Sequence, residues 1–550
     1  MTLSLKYIPP LILLLTLANP SFSQKLNLKF YTKDSTENLF LKKLKLPQKK
    51  YSSQKSIHKN IYKHLDKLKH FGFFSPKIDS IKKTDNTYVV HLSLGNKINN
   101  AILSYSNHNS KEQTIKIPIQ KLDSLLQSIS SKTSSKGFPF SEISLKDISI
   151  KEKTLFATIN TKLSKQRKID KTIIKGYKNF PKTYLKHLLK INRNTIFNKK
   201  KLQTISSHMK YIDFSKEVKK PEVLFSNDST ILFLYLKRNK LSNFNGIINF
   251  SSKENSNKII FNGLLNLNLK NTFNIGEELS LLWRANGEAQ QDFNISTKFP
   301  YIFNTPLKLN TDFNIYRQDS SYINTKFSTK LNYFLTPKNT FFLTYQSENS
   351  NKTSLLTTTE PIATFNNTFI GFGFTHKSGQ KKPLSQHTFH LEGNFAYGFR
   401  KRTVDKEKQF KIHLETSLFL PLNLKSGIYI KNNTSYLHSK NYLQNEVYRI
   451  GGLNSIRGFK EQHFFSPKYS YFNLEYRHLT SASSFLYSIS DIGFIQNIDL
   501  STQKALTLGL GYLFKINSSN LNIGYTLSNE SLSVFKLKNS AIFINFSNFF

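Results

Sequence analysis

Cysteine is absent from all 550 residues. Its absence excludes structural disulfides, thiolate zinc sites, cysteine nucleophiles and a lipid-modified N-terminal cysteine. Long apolar runs are missing everywhere except the N-terminus, which excludes a helical membrane protein. Arginine, alanine and glycine are scarce, and only 38% of residues are apolar, a low share for a globular enzyme of this length. Aromatics are plentiful: 47 Phe and 26 Tyr help bring their share to 13%, too many for an intrinsically disordered chain. The length suggests roughly two to four domains.

Lys+Arg 79 against Asp+Glu 34 gives a net charge of +45. Nearly all of the positive charge is lysine. Lys, Asn, Ile, Phe and Tyr are abundant together, the pattern of an AT-rich coding bias. A nucleic-acid-binding protein would cluster its cations and use arginine, the fork that suits bases and phosphates. Here lysine is spread along the whole chain.

Residues 1–23 read as an export signal. Lys6 supplies the positive start, and Ile8 to Leu17 is a short apolar core interrupted by Pro9, Pro10 and Thr16. Ser21-Phe22-Ser23 offers small residues where a signal peptidase cuts, leaving Gln24 first. The core is too short for a permanent span.

Residues 24–238 read as three copies of one αβ module, at 24–97, 98–165 and 166–238. In the first, a strand at Leu26–Tyr31 precedes a helix with Ile57, Ile61, Leu65 and Leu68 on one face. Gly72-Phe73-Phe74 and two strands follow, the second at Tyr88–Leu94. The second repeats this with a stripe of Leu122, Leu125, Leu126 and Ile129, then Gly137-Phe138-Pro139-Phe140 and strands near Ile143–Ile150 and Leu155–Leu163. The third has a strand at Ile169–Ile174, a turn at Gly176, a helix carrying Tyr184, Leu185, Leu188 and Leu189, and another carrying Leu202, Ile205, Met209 and Ile212. Strands at Val223–Phe225 and Thr230–Leu236 close it. Such modules offer strand edges to a partner, or serve as passive spacers.

From residue 239 to 550 the period changes to two. Leu265-Asn266-Leu267-Asn268-Leu269 and Leu521-Asn522-Ile523-Gly524-Tyr525-Thr526-Leu527 alternate apolar with small polar residues. About sixteen segments of about ten residues each fit strands that cross a membrane at a tilt. Their centres fall near Ile247, Leu265, Leu281, Ile295, Phe313, Phe327, Phe342, Phe372, Leu391, Leu414, Ile430, Leu474, Ile489, Leu508, Ile523 and Ile544. The predicted fold is therefore α+β modules followed by an all-β transmembrane barrel, closed so that lipid meets no unpaired backbone. The last strand ends on aromatics, Phe546 and Phe550.

One long connection, between the segments near Ile430 and Leu474, breaks the rhythm. It holds Gly451, Gly452, Ile456, Arg457, Gly458 and Phe459, and its glycines permit a loop folded back on itself. Asp491 is an acid in an otherwise apolar strand and is expected to face the lumen. Gly-Gly-x-x-x-Ile-Arg-Gly-Phe resembles the Arg-Gly-Phe/Tyr loop motif of the BamA/TamA superfamily of barrel-assembly and translocation proteins. Ser490-Asp491-Ile492-Gly493 resembles its paired Asp-x-Gly strand motif, although Ile489 stands where the family has Phe. The upstream repeats resemble the family's POTRA modules, and a count of three is closer to TamA-like members than to the five-module assembler.

The resemblance implies an outer-membrane barrel of a Gram-negative bacterium, with the modules in the periplasm and the sixth surface loop in the lumen. It implies unfolded outer-membrane protein clients received by strand addition, a seam between first and last strands that opens toward lipid, and a periplasm-spanning or lipoprotein partner. No nucleotide is needed in that family; the residues themselves suggest no cofactor, the histidines lack metal-site spacing, and the spread of lysine speaks against nucleic acid. Within the resemblance, the Arg457 guanidinium is expected to latch onto Asp491, with Glu475 as the second candidate: Glu475 shares a face with Asn473 and Arg477. The alternative is a two-partner-type secretion pore, which usually has two modules and a plug helix. An enzyme fused to the barrel would need a catalytic domain that no span is left to hold. No phosphate-loop or nucleophile-elbow motif occurs, and a strand through His387, His390 and Glu392 would place the two histidines on opposite faces.

Overall fold

The computed structural model describes residues 26–44, 51, 53–105, 113–252, 259–286, 290–353, 361–379, 383–385, 387–403, 405–516, 519–530 and 535–550. The export signal at 1–23 lies outside them. The first two modules form one compact unit; the third, apart from residues 166–167 and 196–199, forms another together with the barrel.

The first module is a strand (Asn27–Thr32), two helices (Ser35–Lys43 and Gln54–His70) and two more strands (Lys77–Thr84 and Thr87–Ser93). The first strand runs parallel to the last, and the middle one pairs antiparallel on its other side. Ser53 starts the longer helix by accepting from the Ser56 N–H at 3.3 Å, a satisfied N-terminal donor. Ile57, Ile61, Leu65 and Leu68 then bury one face against Leu28, Val90 and Leu92. Each such side chain contributes roughly 1.5–3 kcal/mol on leaving water. The third module follows the same plan, with strands Lys171–Lys175, Ser215–Phe225 and Thr230–Arg238 and helices Lys182–His187 and Lys199–Met209. The second replaces the first helix with a strand, Gln113–Pro118, beside Asn100–Tyr105; its helix is Leu122–Ser135, and its hairpin is Glu142–Lys151 and Thr154–Lys162. In all three the first strand of the final hairpin is a sheet edge.

The remaining chain forms β1 (Asn243–Ser252), β2 (Ile259–Lys270), β3 (Glu278–Asn286), β4 (Gln290–Pro300), β5 (Leu307–Gln318), β6 (Tyr322–Phe334), β7 (Asn339–Lys352) and β8 (Phe365–Ser378). It continues with β9 (Phe389–Lys401), β10 (Lys406–Pro421), β11 (Ser426–His438), β12 (Lys468–Leu479), β13 (Phe485–Gln496), β14 (Thr502–Ile516), β15 (Ser519–Glu530) and β16 (Ser540–Phe549). Each strand pairs with the next, and β16 returns to β1, closing a sixteen-stranded antiparallel barrel. The sixteen segment centres read from alternation fall one to a strand.

Alternation decides which side chains meet lipid. On β7 and β8, Phe341, Leu343, Ile370 and Phe372 point outward and are exposed, while Phe342, Asn367 and Phe369 point inward and are buried. β16 turns Ile542, Ile544 and Phe546 outward in the same way. An apolar belt of this extent suits a lipid bilayer. The interior holds a polar lining that includes Glu348, Arg400, Gln409, Asn433, Glu475 and Asp491.

The closure is uneven. β1 pairs with β2 through ten residues, from Asn243 to Ser252, and β15 with β16 through nine. β1 and β16 meet through two: Asn243 faces Phe549, and Phe244 faces Asn548. The Phe550 N–H adds one bond to the Ser242 carbonyl at 2.8 Å, and Asn245 Nδ2 donates to Asn545 Oδ1 at 3.2 Å.

β1 leaves the third module, so turns after even-numbered strands lie at the module end of the lumen. Two of them grip that module. Arg238 Nη2 donates to the Asn271 carbonyl at 3.1 Å, and Asn271 Nδ2 donates to the Tyr177 hydroxyl. Glu277 stiffens this turn by accepting from the Phe273 N–H at 2.7 Å and the Ile275 N–H at 3.3 Å. At the β4–β5 turn, Tyr301 packs edge-on to Tyr184 with ring centroids 4.8 Å apart.

Candidate functional site: the lumenal loop

Between β11 and β12 the chain does not stay outside. It forms a short hairpin, Tyr448–Ile450 with Phe464–Ser466, whose tip, 451–463, crosses the lumen. Gly451, Gly452 and Gly458 adopt φ of 115°, 95° and 85°, a region that costs a side chain about 1–3 kcal/mol but glycine little. The Gly451 N–H donates to Ser455 Oγ at 2.8 Å, and the Gly458 carbonyl accepts from Ser528 Oγ at 3.2 Å. Phe459 packs on Phe464, centroids 5.0 Å apart.

Arg457 sits at the apex, 7% exposed. Its Nε and Nη2 donate to Asp491 Oδ2 and Oδ1 at 2.8 and 2.6 Å, a planar two-pronged pairing. Its own N–H donates to Asp491 Oδ2 at 2.9 Å. The third prong, Nη1, donates to Glu475 Oε1 at 2.5 Å. Thr507 Oγ1 donates to the Arg457 carbonyl at 2.6 Å. Arg477 Nε donates to Glu475 Oε2 at 2.8 Å. Two cations and two carboxylates therefore balance inside the lumen, as burial requires.

Asp491 and Gly493 point to the same face of β13, two residues apart. Asp491 takes the guanidinium. Gly493 leaves room for Ile456, which is fully buried: a Cβ at 493 would stand 2.4 Å from Ile456 Cδ1. At the chain terminus Phe546 faces lipid and Phe550 is exposed past the end of β16; they sit beside the seam and away from the loop.

The loop has further fastenings. On the opposite wall, Arg284 Nη1 of β3 pairs with Glu461 Oε2 at 3.1 Å, Gln462 Nε2 donates to Asp292 Oδ2 of β4 at 3.2 Å, and Arg449 stacks over Tyr316, 3.5 Å from its ring centroid. Higher up, Arg400 of β9 is fully buried between Glu446 of the loop and Glu407 of β10 and bonds to both. Asn445 Nδ2 donates to Ser350 Oγ at 2.6 Å and to the Ala363 carbonyl at 2.7 Å. Sequence reading missed this upper clamp. One available signal was arginine itself: of the ten in the chain, Arg284, Arg400, Arg449, Arg457 and Arg477 all hold this loop or its latch.

Elsewhere the structure corrects one local expectation. His387 precedes β9 instead of lying on it, and its ring centroid is 6.3 Å from that of His390, so the two are neighbours. Glu392 is engaged by Lys330 Nζ at 2.5 Å and Thr375 Oγ1 at 3.1 Å.

No protein-family model matches the chain, and no curated protein matches it in sequence. Among solved structures, CdiB from Acinetobacter baumannii is similar with a TM-score of 0.51 at 15% identity, covering 90% of this chain and 98% of that one. CdiB from Escherichia coli is similar with a TM-score of 0.50 at 11% identity, again covering 90% and 98%. BamA from Haemophilus ducreyi lacking POTRA domains 1–3 aligns over 80% of this chain and 96% of that one at 13% identity, with a TM-score of 0.45. At these identities the two CdiB structures share this chain's fold.

Proposed function

We propose that this chain is a member of the BamA/TamA superfamily that receives unfolded outer-membrane proteins in the periplasm and inserts them through the β1–β16 seam. The observation that carries the reading is the seam itself. Two register pairs close it, against ten and nine on its flanks. Unpaired strand edges are costly in lipid and are templates for a further strand. A client strand added there would satisfy β1 above Phe244 and β16 before Asn548. The modules offer edges of the same kind: on Glu142–Lys151, Ile148 and Ile150 are 58% and 57% exposed, a surface suited to strand addition. The latch of Arg457 to Asp491 and Glu475 keeps the loop in the lumen while the seam works. Partners under this reading are the bilayer, the clients, and a periplasm-spanning or lipoprotein accessory. The chemistry is strand exchange, with no covalent step and no cofactor.

The second reading is a two-partner-type secretion pore. Sixteen strands are enough for an aqueous channel, and here the loop crosses it.

Cysteines at 243 and 549, which face each other across the seam, can be cross-linked cleanly in a chain without native cysteine. The locked protein in liposomes should fail to insert an unfolded barrel client and should recover on reduction. Full insertion by the locked barrel refutes the seam reading, and undiminished export of a partner chain through it favours the pore.

A further inference from the structure

The lumen has a second occupant. Segment 383–385, between β8 and β9 at the module end, turns inward: Leu384 is 5% exposed and packs with Phe419, Phe485, Tyr487 and Ile489, with Phe543 of β16 at the edge of the cluster. The Leu384 carbonyl accepts a hydrogen bond from Arg477 Nη1. The Arg477 guanidinium is held over the Tyr429 ring, 3.9 Å from its centroid, and its Nε grips the Glu475 oxygen that Arg457 leaves free. A continuous polar path thus runs from the surface loop to the opposite mouth: Asp491, Arg457, Glu475, Arg477, Leu384.

We propose that Arg477 is a positioning residue that couples segment 383–385 to the Arg457 latch, so that loosening one end of the lumen loosens the other. The physical ground is Glu475. One carboxylate divides its two oxygens between two guanidiniums, so each holds it in the place the other needs. A group bonded this way transmits displacement, because moving either guanidinium shifts the carboxylate that the other one holds. Reciprocity then follows: if the latch stabilises the segment, the segment stabilises the latch by the same factor. The inference goes beyond the seam reading and does not depend on which cargo the barrel handles.

The test uses the full-length protein in detergent micelles with a single reporter, Ser385→Cys, and a water-soluble maleimide. Arg457→Ala should raise the labelling rate at 385 by about fivefold or more, the low end of ordinary coupling between sites. In an Arg477→Gln background the rate should already be high, and Arg457→Ala should add nothing to it. Arg477→Lys keeps the charge but cannot reach Glu475 and Leu384 together, so it should behave as Arg477→Gln does; it carries the test if the Gln variant fails to fold. Conversely, Ile456→Cys, buried in the wild-type loop, should label faster when Arg477 is replaced. Unchanged labelling at 385 in the Arg477 variants overturns the proposal. So does an Arg457→Ala effect of the same size with and without Arg477, which would make the two segments independent.

Discussion

Replacing Arg457 by alanine is the sharpest perturbation of the latch. It strands Asp491, which is fully buried, and deprives Glu475, 6% exposed, of one of its two cations. Leaving an uncompensated buried charge costs about 3–5 kcal/mol. Arg477 remains on Glu475, which places the cost toward the lower figure. At 1.36 kcal/mol per decade, the equilibrium between docked and released loop shifts by roughly 10²-fold or more. The stranded carboxylate regains water only if the loop leaves, so the penalty acts on docking specifically. Hydrogen exchange reads this directly, because the Arg457 N–H is itself bonded to Asp491. Peptides covering 450–464 should exchange about a hundredfold faster while β12 and β13 keep their protection. Arg457→Lys should recover little, since an ammonium cannot supply three prongs in one plane. Exchange of this peptide within a factor of about three of wild type in Arg457→Ala would refute the argument, because no buried ion pair of the stated worth could be lost so quietly.

Other consequences are checked more simply. Gly493→Val should displace Ile456 at a cost of about 1–3 kcal/mol of overpacking, seen as faster proteolysis of the loop, and Ile456→Ala in the same chain should restore much of it. Arg400→Met should free the upper leg of the loop, with new cleavage near 440–447, because Glu446 and Glu407 lose the cation between them; adding Glu446→Gln should recover part of the roughly 3–5 kcal/mol lost. In the first module, burial, then Lys67 and Lys63, hold the His64 pKa below 6.5. The folded imidazole is neutral and the unfolded one takes up a proton, so stability is complete above pH 6.5 and falls as the pH drops from there toward the depressed value. Exchange protection of helix Gln54–His70 in the whole chain should accordingly weaken between pH 7.5 and 5, and His64→Leu should flatten that dependence.

The barrel was legible because period-2 alternation is a physical necessity where one face meets lipid and the other a polar lumen. Leu508 and Leu510 outside, with Thr507 and Gly509 inside, carry that information in four letters. Helix Ser35–Lys43 was not legible: it buries only Leu41, too little for a stripe. Strand Gln113–Pro118 was hidden for a different reason, since its module otherwise repeats its neighbours and the local sequence is short. The latch could be inferred because Arg457, Asp491 and Glu475 each stand out locally, a lone fork in a glycine turn and two acids on lumen-facing positions. The clamp of Arg400, Glu407, Glu446 and Asn445 carries only the rarity of arginine as a mark. Its residues sit at strand ends and in a plain stretch of loop: the β9–β10 hairpin sets Arg400 opposite Glu407, and only the inward fold of the loop brings Glu446 and Asn445 to their partners.

The joint between the third module and the barrel bears on how force would travel. Besides the covalent connector into β1, the module is fastened at the β2–β3 turn through Arg238, Tyr177 and Asn271 and at the β4–β5 turn through Tyr184 and Tyr301. All three fastenings lie on the β1 side of the seam; β16 has no comparable handle among the described residues. The module is therefore a lever with its load on one jaw of a clasp. A sideways pull on it twists β1 through β5 as a stiff sector while β16 stays with β15, and the shear concentrates on the two register pairs between them, the weakest stitching in the wall.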